Sequence, residues 1–332
     1  MELTGARILV TGGTGLIGRE LVDILLSKKP ESIRVVSLDQ RGDLPTGVSF
    51  HRVDLRDSMA CQTMVRGMDV VFHLMGVKGS PKVSAERPAD FFVPLLQCNT
   101  NMMDAAFQAN VKWYLYTSSV GVYHPAEVMR EDDVWKTMPS VNDWYPGWAK
   151  RVGELQAEVY AIQHGWRRVS VVRPANVYGR YDNYDANNAM VVPSLIRRIV
   201  GGENPLSVWG DGTPVRDFIH ARDCAAGMVH MVEQQVTKPV NLGSGVGVTI
   251  KELVETLVEI SDERPAVVWD STKPNGDARR LFDTARAREY GFMPTISLRN
   301  GLMEVYRFYK DPDKREGLSG RHNAFMTPTW RL

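Results

Sequence analysis

The sequence predicts a doubly wound α/β fold, a parallel sheet with helices on both faces, followed by a smaller C-terminal domain. Three observations carry this expectation. Residues 6–29, "ARILVTGGTGLIGRELVDILLSKK", read as a short apolar strand, a glycine turn and an amphipathic helix. The runs "IRVVSLD", "DVVFHLMG", "KWYLYTSS" and "RVSVVRP" repeat the strand pattern with helical segments between them, and strands alternating with helices argue for parallel βαβ units. After Pro174 the texture changes: "GRYDNYDANN", "GDGTPVRDF" and "STKPNGDARR" separate shorter helices such as "TIKELVETLVEIS". The expected division is a dinucleotide-binding domain over 1–175 with a segment returning near 215–245. A substrate domain takes 176–214 and 246–320, and a tail without periodicity covers 321–332.

Each element brings its own chemistry. In "VTGGTGLIG", Gly12, Gly15 and Gly18 are spaced G-x-x-G-x-x-G between strand and helix. That spacing suits a tight turn, close backbone approach to a pyrophosphate, and helix-dipole charge beneath it. Leu16 and Ile17, opening the helix, join the cofactor candidates. The second strand ends in Asp39, about twenty residues past Gly18, where an acid bonds the adenosine ribose hydroxyls and repels a 2′-phosphate. NAD is therefore expected over NADP, with Arg41 close enough to act against it. Asp54 and Leu55 in "HRVDLRD" suit the adenine end, although a turn aspartate reads equally well.

Composition excludes several classes. At 332 residues, 43% hydrophobic and 24% charged, the chain has material for one large or two modest domains. A net charge of +1 gives no basic field for nucleic acid. The N-terminal stretch lacks signal-peptide features, and no apolar run reaches bilayer length, so a cytoplasmic protein without membrane partners is expected. Cys61, Cys98 and Cys224 are far apart, the histidines are scattered, and no metal site is expected.

From "TGGTGLIG" through "HLMG", "CNTNMMDAA", "TSSVGVY", "GWAK", "RPANVYG" and "VWGDGTPVRDFIH" to "NLGSG", the chain resembles the extended short-chain dehydrogenase/reductases that modify nucleotide sugars, enzymes built on a Rossmann fold. The resemblance spans nearly the whole length. It implies that Leu74 and Gly76 line the cofactor and that Asn99 braces the site. Ser118 or Ser119 is implied to bond the sugar or its reacting oxygen, and Lys150 the nicotinamide ribose. Pro174, Asn176 and Val177 are implied to lie beside the nicotinamide and sugar diphosphate. The later half most resembles the GDP-fucose synthases. That likeness implies a GDP-sugar substrate, with Arg198, Trp209 and Arg216 facing the diphosphate and Arg279 nearby. Arginine forks suit phosphate oxygens. Equally, Arg198 reads as a solvated helix residue and Trp209 as a core or interface aromatic.

Three departures bear on mechanism. The cysteine and histidine with which fucose synthases move protons match Val120 or Gly121 and Met190 here, so double epimerisation is not expected. In "DWYPGWAKR", residues 143–151, the family's Y-x-x-x-K places Lys150 correctly but puts Pro146 at the tyrosine. Tyr145 is a substitute only if it lies just outside the helix in extended geometry, since within a helix it points about 140° from Lys150. Otherwise it is an aromatic wall. Tyr123 in "GVY" is a second phenol candidate, and a desolvated Lys150 a third proton carrier. An NAD-dependent nucleotide-sugar epimerase or dehydratase is the leading reading, ahead of a 4-keto-sugar reductase and of a protein that binds NAD without chemistry. A homodimer is expected through the helix around Ala105 and Ala106 and the helix "KRVGELQAEVYAIQ", which the family pairs across two subunits.

Overall fold

Ile8 and Val10 point to one side of the first strand and Leu9 to the other, and both sides are buried in separate apolar clusters. A strand covered on both faces belongs to a parallel sheet with helices above and below. The computed structural model describes residues 1–76, 86–316 and 318. Its main sheet is built from β1 (Arg7–Thr11), β2 (Ser32–Ser37), β3 (Val48–Arg52), β4 (Val70–His73), β5 (Trp113–Thr117) and β6 (Val169–Pro174). Beyond these lie β7 (Asn176–Tyr178), β8 (Leu206–Trp209), β9 (Val215–His220), β10 (Val240–Leu242), β11 (Gly247–Thr249), β12 (Val267–Asp270) and β13 (Arg279–Arg280). The seven-stranded order is β10-β6-β5-β4-β1-β2-β3, and every pairing is parallel. The strand order reverses between β1 and β4, and a crevice at the carboxyl ends of those strands is where such sheets bind ligands.

The helices divide by face. On one side, α1 (Leu16–Ser27) buries Leu21, Val22 and Leu25. On the other, α2 (Ser58–Val65), α3 (Pro88–Gln108) and α4 (Trp144–His164) bury Cys61, Cys98, Met102, Ala105 and Ala157. The remaining lobe holds α5 (Val191–Val200), α6 (Ala221–Glu233), α7 (Ile250–Ile260) and α8 (Leu298–Lys310) around a third cluster, except that α6 returns to pack beside α1. Thr249 and Glu252 close a capping box at the start of α7, which fixes where "TIKELVETLVEIS" begins its helix. Four short strands, with β9 between β7, β11 and β13, form the lobe's own sheet, and β8 pairs with β12. The expected tail over 321–332 lies outside the described residues. Among those residues, no helix is long and apolar enough to cross a membrane. Among the same residues, no cluster of three or more His, Cys, Asp or Glu side chains is arranged to hold a metal ion.

Candidate active site

A cleft of about 1480 Å³ runs along the carboxyl ends of β1, β4, β5 and β6 and extends under the second lobe. The glycine turn forms one end. Gly12 has φ +69°, in the left-handed region that favours glycine, and a Cβ there would sit 3.3 Å from the Met75 backbone. A Cβ on Gly18 would fall 2.1 Å from the Gly12 carbonyl oxygen, and one on Gly15 would be 3.2 Å from it. The turn therefore folds onto itself only without side chains. Helix α1 starts with no side-chain cap and no acidic residue in its first turn, so its N–H groups and dipole are left for an anion. The Thr14 hydroxyl donates to Asp39 at 2.6 Å, placing that carboxylate at the end of β2. Arg41 turns away, donating to the carbonyls of Val48 (3.0 Å) and Pro45 (3.1 Å). Asp54 lines the cleft and is paired with Arg56. Leu16, Ile17, Leu55, Leu74 and Gly76 line it too.

The cleft floor is a chain of buried polar groups. Thr11, at the end of β1, stands beside His73 in register. The Thr11 hydroxyl accepts from the Met75 N–H (3.2 Å) and, because Asn99 Oδ1 can only accept from the far side of the neutral ring, donates to His73 Nδ1 (2.9 Å). The Nε2–H then donates to Asn99 Oδ1 at 3.0 Å. Burial, helped by the charge of Lys150, lowers the His73 pKa to about 3, so the ring is neutral. Lys150, on α4, donates from Nζ to the Thr117 carbonyl (2.8 Å) and lies over the Tyr116 ring. Burial lowers its pKa to about 8. Asn99 Nδ2 and Thr117 Oγ1 are buried without a hydrogen-bond partner. Such atoms are costly unless a ligand or water completes them. Glycine cradle, uncapped helix, placed acid and unpaired polar atoms together fit a nicotinamide dinucleotide.

Of the serine pair, Ser118 donates to Glu154 at 2.5 Å, within a buried ion pair between Glu154 and Arg173. Ser119 accepts from the Gly121 N–H (3.1 Å) and stays at the cleft wall. Tyr123 is in the core: its hydroxyl donates to Asn241 (2.6 Å) and accepts from Arg173 (2.9 Å), and burial pushes its pKa up. Helix α4 begins at Trp144, so Tyr145 is helical, and the extended geometry on which its role as a substitute depended is not found. It is 41% exposed and absent from the cleft wall. Pro146, in the first turn where proline is tolerated, does line the cleft. So do Val120 and Met190, neither of which carries a transferable proton.

The lobe's expected ligands are scattered. Pro174, Asn176 and Val177 line the cleft, with Asn176 donating to the Asp217 carbonyl (2.9 Å). Arg198 is bound to Glu203 and the Ser207 carbonyl. Trp209 is 59% exposed under Lys273, and Arg279 donates to the Glu127 carbonyl (2.8 Å). None of these three lies among the described lining residues. Arg216 is also off the wall, and burial followed by repulsion from Arg280 lowers its pKa to about 10. The wall instead holds Arg280, Asn142 and Asp143, which sequence reasoning missed. Arg279 and Arg280 are adjacent on β13, where successive side chains alternate, so only one of the two can face the cleft. "RR" does not say which; pairing with β9 does. The "VND" before Trp144 carries a weaker signal, since it reads as a helix cap.

The NAD dependent epimerase/dehydratase family matches residues 8–243. GDP-L-fucose synthase 1 of Arabidopsis thaliana is 31% identical over 320 residues, covering 93% of this chain and 94% of its own. Among solved structures, UDP-glucose 4-epimerase from Thermotoga maritima, held with UDP-glucose, agrees at a TM-score of 0.82 and 25% identity over 92% of this chain and 98% of that one. UDP-glucose 4-epimerase from Thermus thermophilus, in complex with NAD, agrees at 0.79 and 26% identity over 92% and 99%. Fold, glycine cradle and sequence agree, and the chain belongs to the NAD dependent epimerase/dehydratase family.

Proposed function

We propose that this chain is an NAD-dependent nucleotide-sugar epimerase or dehydratase whose proton carrier is Lys150. The observation that carries the proposal is the lysine itself, buried in the cleft beside Pro146 with its pKa lowered to about 8. Tyr145 points outward and Tyr123 is locked in the core, so neither phenol serves. Gly12, Gly15, Gly18 and the start of α1 would hold the pyrophosphate, and Asp39 the adenosine ribose. NAD, when bound, supplies reversible hydride exchange with a sugar carbon. Near pH 8 Lys150 Nζ is populated with and without its third proton, so it takes the proton from the reacting sugar oxygen and returns it. Its hydrogen bond to the Thr117 carbonyl fixes the amine's position without using that lone pair. Ser119, which lines the cleft, would bond the same oxygen. Ser118 acts at a distance, tied to Glu154. With Val120 and Met190 in the cleft, no side chain at those positions can exchange protons at two further sugar carbons.

Similarity to GDP-L-fucose synthase 1 favours a GDP-sugar over a UDP-sugar, and it also supports a 4-keto-sugar reductase as the second reading. Helix α4 leaves Leu155, Val159 and Ile162 exposed as a stripe, supporting a homodimer. Cys61, Cys98 and Cys224 are free and buried, in keeping with a cytoplasmic protein. Mass spectrometry of nucleotide released from the purified protein tests the reading. Retained NAD⁺ is expected of an enzyme that recycles its cofactor. A site that exchanges freely with NADPH points to the reductase, and a protein binding neither nucleotide would sink both.

A further inference from the structure

Two stretches 137 residues apart meet at the cleft wall in one polar node. Asp277 is buried and accepts from Ser140 Oγ (2.9 Å to each carboxylate oxygen), Asn142 Nδ2 (2.6 Å) and Arg280 Nε (2.9 Å). Burial pushes the Asp277 carboxyl up, but Arg280 and these hydrogen bonds outweigh it and hold it below its usual range. Arg280 also reaches Asp143, at 2.5 Å. Asp277 keeps Arg280 paired by itself, so holding Arg280 in place does not require Asp143.

Asp143 occupies the N-cap of α4, yet its side chain makes no cap hydrogen bond. An aspartate there ordinarily accepts from the N–H two or three residues on, worth ~1 kcal/mol. The residue three on is Pro146, which has no N–H. The proline at the position where the resemblance implies a tyrosine thus removes a capping donor, and the carboxylate turns to Arg280 and the cleft. A Cβ on Gly121 would lie 3.1 Å from Asp143 Cβ and 3.5 Å from Ser119 Oγ, so the carboxylate and Ser119 share one side of the wall.

We propose that Asp143, oriented by Arg280, contacts the sugar directly, accepting a hydrogen bond from a ring hydroxyl and selecting a neutral hexose over a uronic acid. The inference rests on the nucleotide-sugar reading above. A fixed carboxylate attracts hydroxyl donors and repels a second carboxylate brought beside it.

The test uses calorimetry on NAD-saturated protein with two series of probes: GDP, GDP-mannose and GDP-mannuronate, then UDP, UDP-glucose and UDP-glucuronate. In at least one series the wild type should bind the neutral sugar nucleotide about tenfold or more tighter than its uronate. Asp143→Asn should abolish most of that discrimination while binding the nucleoside diphosphate as well as before, or better, because a negative charge has gone. Asp143→Ser repeats the measurement should the asparagine variant misfold. Arg280→Lys, which keeps the charge but not the fork, should lose part of the same discrimination. Unchanged discrimination in Asp143→Asn, or diphosphate affinity falling in parallel with sugar-nucleotide affinity, overturns the role of Asp143 alone. If the wild type binds no sugar nucleotide more tightly than its diphosphate, the nucleotide-sugar reading falls and this inference with it.

Discussion

Lys150 couples catalysis to stability with a definite sign. Its pKa of about 8 in the folded chain lies below the ordinary 10.5. Between those values the unfolded chain holds a proton that the folded chain lacks, so stability rises with pH across that window. Below about pH 8 the burial costs its full amount, ~3 kcal/mol. Lys150→Met should therefore lose the rise between pH 8 and 10.5 in denaturant titrations and be no less stable than wild type near neutrality. Its turnover should fall by about 10²–10⁴-fold. Tyr145→Phe should leave turnover within a few-fold, since that ring faces solvent. Tyr123→Phe should instead cost about 1–3 kcal/mol of stability by leaving Asn241 and Arg173 short of a partner. A large loss of turnover in Tyr145→Phe with Lys150→Met still active would reverse the assignment. At the other end of the cleft, Asp39→Ala should narrow the preference for NAD over NADP, read by fluorescence titration. Arg41 is committed to carbonyls of its own loop and offers the 2′-phosphate little.

At the scale of elements, α4 is positioned by what it lacks. A Cβ on Gly147 would fall 2.3 Å from the Gly121 carbonyl oxygen, and one on Gly153 would be 2.2 Å from the Tyr116 hydroxyl oxygen. These glycines let the helix lie directly on β5 and on the Ser119 loop, which brings Lys150 to the Thr117 carbonyl. Gly153→Ala should push the helix outward less than one turn from Lys150. The expected cost is about 1–3 kcal/mol of stability, together with weaker NAD binding. Wild-type melting temperature and NAD affinity in that variant would show that the contact relaxes without moving the helix. The turn before α1 is built on the same logic, with glycine wherever backbone meets backbone.

For the whole molecule, the exposed stripe Leu155, Val159 and Ile162 is 45%, 45% and 75% accessible, on a helix whose other face is packed against β5 and α3. A self-complementary pair of such faces makes a twofold dimer. Light scattering at micromolar concentration should give the mass of two chains, and Val159→Glu with Ile162→Glu should give one. A wild-type monomer would leave the stripe as ordinary solvent-facing surface. The cleft itself belongs to neither lobe alone. Glycine cradle and Lys150 come from the first, Arg280 and Met190 from the second, and Asp143 is held between them.

The sequence by itself determined the strand-and-helix alternation, the glycine cradle, Asp39 and Lys150, because these depend on local periodicity and on spacing within single elements. Counting back four residues from Lys150 also puts Pro146 at the tyrosine position that the family resemblance implies. Strand β3, with its mixed "VSFHR", escaped notice because a half-exposed strand lacks a strong apolar run. The tertiary structure decided everything that depends on direction. It turned Tyr145 outward by starting the helix at Trp144, drew Tyr123 and Ser118 into the buried network around Arg173 and Glu154, and chose Arg280 over Arg279 through strand register. It alone brought residues 140–143 against 277–280. Side-chain direction follows from where an element begins and what it packs against, and chain position does not record either.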